Sequence, residues 1–78
     1  MAIRPATPPL LKHLNEQTVL ETIRAGAPIS RAEISRRAGI SKPTVSVALQ
    51  SLLEHGLVRE TQPDPDRPSY GAVYFEPV

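Results

Sequence analysis

The tripeptide Gly39-Ile40-Ser41 places a helix stop and a helix start almost side by side. Glycine is the commonest helix stop, and serine is among the preferred helix starts. A stop and a start separated by one residue force two helices to meet at a tight turn. The flanking segments agree. Ser30-Arg31-Ala32-Glu33 has the serine-x-x-glutamate spacing of a capping box, which sets the first helix of the pair to begin at Arg31. That helix is short, with Ile34 and Ala38 facing inward. The second takes Ser41 as its N-cap, a contact worth about 1 kcal/mol, and runs to about His55, where Gly56 stops it. Its inner stripe is Val45, Ala48, Leu49, Leu52 and Leu53. Pro43 disfavours α geometry at Lys42, so the start is open by one residue.

Nine prolines in 78 residues would suggest disorder, but only Pro28 and Pro43 fall within Leu10–Glu60. The remainder mark a leader, residues 1–9, and a loop near the end, so the expected folded unit is 10–78. Within it, Leu10–Ala25 carries Leu10, Leu11, Leu14, Val19, Leu20 and Ile23 at mostly helical spacing. Thr7 is a candidate N-cap and Gly26 a C-terminal stop. After Gly56 the pattern changes. Leu57–Thr61 and Ala72–Glu76 contain Val, Thr, Tyr and Phe and predict strands, joined by a Pro- and Asp-rich loop over Gln62–Gly71. Ala27–Ile29 offers a brief third strand. The predicted class is mainly α with a small β-hairpin: a winged helix-turn-helix of three helices and a two- or three-stranded wing.

In that motif the second helix of the pair enters the major groove of DNA, so charge and side-chain chemistry are read against that use. The net charge of +1 points to no partner, yet it is unevenly spread. Met1–Ile23 sums to 0. Arg24–Lys42 holds five basic residues against Glu33 alone, +4, and Pro43–Val78 holds two against five acidic, −3. The basic segment covers the start of the motif and makes Arg31, Arg36, Arg37 and Lys42 phosphate candidates; solvated helix faces would carry the same residues. Ser41 joins them, because a helix start rich in N–H groups holds phosphate.

At 100° per residue, a stripe centred near Leu49 leaves Pro43, Thr44, Val47, Gln50, Ser51 and Glu54 outermost, with Ser46 on the flank. Gln reads adenine bidentately, short hydroxyls bond base edges, and apolar groups contact the thymine methyl. Pro43, Thr44, Ser46, Val47 and Gln50 are therefore the base-reading candidates. The alternative for Val47 is an ordinary exposed valine. Arg67, the only basic residue of the predicted loop, is a candidate for the minor groove; an ion pair with Asp64 or Asp66 is the alternative.

Catalysis lacks its parts. No cysteine is present, His13 and His55 lie on different helices, and Asp64-x-Asp66 has too few ligands for Ca²⁺. No phosphate loop or nucleophile elbow occurs, and neither a cofactor nor a metal is expected. Without a membrane-length apolar run or a signal-peptide core, the expected location is cytoplasmic, on the nucleoid. Two readings from different classes remain: a DNA-binding domain, and a winged helix that docks proteins without DNA.

The stretch from Leu14 to Glu60 followed by Asp66–Pro77 resembles the N-terminal domain of ROK-family transcriptional regulators, whose winged helix is similar to that of MarR proteins. The resemblance rests on Ile29–Ile34, Gly39-Ile40-Ser41, Thr44-Val45-Ser46 and Gly56-Leu57-Val58 in this order and spacing. It implies a bacterial repressor of sugar-metabolism genes, a homodimer on an inverted-repeat operator, and a following sugar-kinase-like domain that holds the effector site. The chain departs from the pattern at Val47 and Gln50, where relatives often carry basic residues. It departs also at Glu16-Gln17, and at Asp66, where Gly before Arg-Pro is more usual.

Overall fold

A computed structural model describes residues 8–62 and 72–78, with side chains from residue 11 onward within the first helix. The element order is α1 (Pro8–Gly26), β1 (Ile29–Ser30), α2 (Arg31–Ala38), α3 (Lys42–Glu54), β2 (Val58–Thr61) and β3 (Tyr74–Pro77). This is the predicted winged helix-turn-helix, with the third strand present.

Helix α1 takes in Pro8 and Pro9, because proline fits a first helical turn whose N–H groups have no intrahelical partner. Only part of its predicted apolar stripe is buried. Val19 and Ile23 are fully enclosed, and Leu20 packs at the margin. Leu11 and Leu14 stay 55% and 52% exposed. The five residues from Leu14 to Val19 turn the helix by 500°, so the two side chains point about 140° apart. The stripe drifts, and only its C-terminal half meets the core.

Both helices of the pair end on glycines with φ of 70°. At α3 the Gly56 N–H donates to Leu53 O (3.1 Å) and the Leu57 N–H to Leu52 O (2.9 Å), the paired bonds of a Schellman ending. At α2 the N–H groups of Gly39 and Ile40 both donate to Ser35 O (3.0 and 3.2 Å), while Ser35 Oγ donates to Ile40 O. Ser35 thus locks the turn from both sides.

The strands form one antiparallel sheet in the order β1-β3-β2, pairing Ile29 with Phe75 and Val58, Arg59, Glu60 and Thr61 with Pro77, Glu76, Phe75 and Tyr74. Phe75 is buried beside Ile29 and Val58, and these side chains join Val19, Ile23, Ile34, Val45, Ala48, Leu49 and Leu52 in one core. Each fully buried aliphatic or phenyl group contributes about 1.5–3 kcal/mol. Every element therefore touches the same core, which holds α3 at a fixed attitude to the sheet.

Candidate nucleic-acid interface

Helix α3 has one side committed to the core and one side free. Val45, Ala48, Leu49 and Leu52 are buried, while Lys42, Pro43, Val47, Gln50 and Glu54 are exposed. Thr44 and Ser46 are half-buried on the flanks. Val47 keeps 59% of its surface, so the core makes little use of it. The structure thus brings Pro43, Val47 and Gln50 together on one outward face, with Thr44 and Ser46 at its edges.

Ser51, expected among the outermost residues, is instead buried at 8% exposure. It lines a shallow cavity of about 190 Å³ together with Val47, Gln50, Glu54 and His55 of the same helix end and Lys12 of α1. The crossing helix covers Ser51, and a stripe centred on Leu49 alone does not anticipate this. His55 Nδ1 hydrogen-bonds to the Ser51 carbonyl at 2.8 Å, which ties down the last turn of α3. His13 and His55 line an open groove with Glu16, Leu20, Leu52 and Leu57. No cluster of three metal-ligating side chains occurs among the described residues.

The start of α3 differs from expectation in one respect. Ser41 occupies the N-cap position, but its hydroxyl donates to Thr44 Oγ1 (2.9 Å) and makes no backbone cap bond. The contact joins the phosphate candidate Ser41 to the base-reading candidate Thr44 at the rim of the outward face. Lys42, exposed beside them, enters no ion pair among the described residues.

The arginines of α2 are less free than their sequence suggests. Ser30 Oγ accepts from the Glu33 N–H at 3.2 Å, which completes one half of the predicted capping box. The Glu33 carboxylate accepts from Arg36 Nη2 and, at 2.7 Å, from Arg37 Nε. These two hydrogen bonds, Arg36 first, hold the Glu33 carboxyl below its ordinary range, and Glu33 in turn raises Arg36. Arg37 also lies across the end of α1, where a methyl group on Gly26 would collide with its guanidinium. Arg31 stands with its guanidinium carbon 5.9 Å from the centroid of the Phe75 ring, a cation–π distance that links α2 to β3. On the wing, Arg59 donates to Glu76 at 2.6 Å across the strand pair. Arg67 lies outside the described residues.

Sequence reasoning missed Ser35, whose bond to Ile40 O exists only once the Gly39 backbone has turned left-handed. It treated Glu33 as a cap alone, although the i,i+3 and i,i+4 spacings to Arg36 and Arg37 signal ion pairs on a helix.

The sequence profile of the MarR family matches residues 14–67. The chain belongs to the MarR family. This MarR-family domain is 38% identical over 50 residues to the xylose repressor of Bacillus spizizenii, a match covering 64% of the domain and 13% of the repressor. Its fold is similar to that of a ROK family transcriptional regulator, a homolog of the E. coli MLC protein (TM-score 0.69, 24% identity, covering 86% of the domain and 17% of the regulator). It is also similar to that of Lactococcus lactis ZitR in complex with DNA (TM-score 0.58, 22% identity, covering 82% and 40%). The resemblance to ROK regulators drawn from the motifs thus meets a repressor in sequence and a ROK regulator in fold. The MarR-family domain is a winged helix of the transcription-regulator type, and it spans about an eighth of the curated relative's length. Among the described residues no helix is long and apolar enough to cross a membrane.

Proposed function

We propose that this domain reads double-stranded DNA for a bacterial repressor of sugar-metabolism genes, with α3 in the major groove and the wing on a flanking groove. The observation that carries the reading is the outward face of α3. Pro43, Val47 and Gln50 are exposed there at helical spacing on an element whose other side is locked into the core. Gln50 suits an adenine edge, Val47 a thymine methyl, and Thr44 and Ser46 hydroxyl contacts to base edges. Arg31, Lys42 and the start of α3 at Ser41 supply phosphate contacts, with Arg36 and Arg37 beside them. The xylose repressor supports the sugar-metabolism assignment by its name, and the complex of ZitR with DNA supports the ligand. One domain covers one half-site, so operator binding calls for a homodimer on an inverted repeat.

Fluorescence anisotropy with labelled duplex over a range of salt concentrations tests the reading. Arg31 and Lys42 each bring one positive charge, and the Glu33–Arg36–Arg37 group a net one. Three phosphates neutralised give a log–log slope of about −2.7 per domain. A flat response, or no binding at about 50 mM salt, refutes the reading and favours a protein-docking winged helix.

A further inference from the structure

Glu33 occupies the two arginines that α2 would otherwise offer to DNA. Its side chain is the most covered of the three, 25% exposed against 76% for Arg36 and 52% for Arg37, so the carboxylate sits beneath both guanidinium groups. A carboxylate presents to arginine the same pair of acceptor oxygens that a phosphate does. We infer that Glu33 acts as an internal phosphate mimic that limits how strongly the domain holds DNA regardless of sequence. The inference rests on the DNA-binding reading above.

Two arginines would neutralise two phosphates; with Glu33 between them the group carries +1 and neutralises one. Arg37 is held further by its seat across Gly26 at the end of α1, so Arg36, the more exposed, is the one turned toward solvent. Glu33 is well placed for this role because its backbone N–H is already fixed by Ser30 Oγ. Its two carboxylate oxygens go to Arg36 and Arg37, so the side chain does no capping, and glutamine serves at this capping-box position as well as glutamate.

The test compares the wild-type chain with Glu33→Gln on a mixed-sequence duplex by anisotropy across salt, using Glu21→Gln, on the exposed side of α1, as the charge-matched control. Releasing the second arginine adds one phosphate contact. The slope steepens by about 0.9, and binding tightens about eightfold at 0.1 M salt with the gain vanishing near 1 M. Glu21→Gln leaves the slope unchanged. Replacing the whole group (E33Q, R36Q and R37Q together) flattens the wild-type slope by about 0.9, and this variant carries the test even if Glu33→Gln folds poorly.

A Glu33→Gln chain that is fully folded at the assay temperature but binds no tighter, or more weakly, overturns the inference and leaves the DNA reading standing. So does a loss of about 1.8 from the triple variant, since both arginines would then already reach phosphate past Glu33. Absence of DNA binding by every variant at low salt overturns the inference and the DNA reading together.

Discussion

Replacing Gly39 and Gly26 by alanine, one at a time, separates two reasons for glycine in this fold and has opposite expected signs. Gly39 ends α2 at φ 70°, and a methyl group there would meet nothing within 4 Å. Its replacement is therefore a pure backbone test. An L-residue in the left-handed region costs roughly 1–2 kcal/mol, partly offset by a less flexible unfolded chain, leaving a loss of about 1 kcal/mol. Gly26 is the last residue of α1, and its methyl would strike Arg37 Nη1, the far end of a flexible side chain. Alanine gains about 0.4–1 kcal/mol there, and the only concession is that Arg37 swings aside from an exposed contact with Glu33. In a domain of 60–100 residues, 1 kcal/mol moves Tm by about 4–8 °C. Thermal melts followed by circular dichroism should therefore show Gly39→Ala falling by about 4–8 °C and Gly26→Ala rising by about 2–4 °C. Gly39→Asn, which tolerates the left-handed region, should fall less than Gly39→Ala. An unchanged Tm for Gly39→Ala would refute the left-handed turn. A fall for Gly26→Ala as large as that for Gly39→Ala would show that Arg37 is packed too tightly to yield.

Ser35→Ala removes the hydroxyl that holds Ile40 O and should cost about 1 kcal/mol, read as a lower Tm at neutral pH. The Glu33 carboxyl lies below its ordinary value of 4.5 because Arg36 and Arg37 hydrogen-bond to its charged form. Its stabilisation is therefore present above the unfolded value and lost as pH falls through the lower folded one. The Tm difference between wild type and Glu33→Gln should shrink below about pH 4.5, while a constant difference would show the pairs to be idle. Because the base-reading candidates are uncharged, the preference of one domain for a half-site over its single-base variant should stay constant between about 50 and 200 mM salt while absolute affinity falls about fortyfold. Competition anisotropy at the two salts measures both.

The fold was legible because its punctuation is local. Ser30, Gly39 and Gly56 each fix a helix end through bonds to residues at most five positions away. That local chemistry survives without knowledge of the rest of the molecule. What escaped depends on a second element. Ser51 is covered by the approach of α1 to α3, and Leu11 and Leu14 are exposed because α1 overhangs a core that ends near Val19. The seat of Arg37 on Gly26 joins residues 11 apart through a turn and a strand. The site divides the same way. The outward face of α3 follows from periodicity, and Pro43, Val47 and Gln50 lie where 100° per residue puts them. The state of the arginines does not follow from counting. The segment sum of +4 already included Glu33, but it did not say which side chains Glu33 holds.

That distribution of charge bears on how such a domain finds one site among many. Non-specific affinity comes almost wholly from phosphate neutralisation, and a genome offers about 10⁶–10⁹ competing sites. A reader with neutral base-reading candidates on α3 and partly occupied arginines on α2 draws less of its affinity from charge and more from base edges. The three phosphates per domain proposed above are too few for tight binding at physiological salt. In the proposed dimer the second half-site is engaged at the high effective concentration set by the first, so weak domains add up only where two half-sites are correctly spaced. On this argument Glu33 and the inverted repeat serve the same end. Glu33 lowers what one domain gains on any sequence, and the inverted repeat restores affinity only where both domains find their bases.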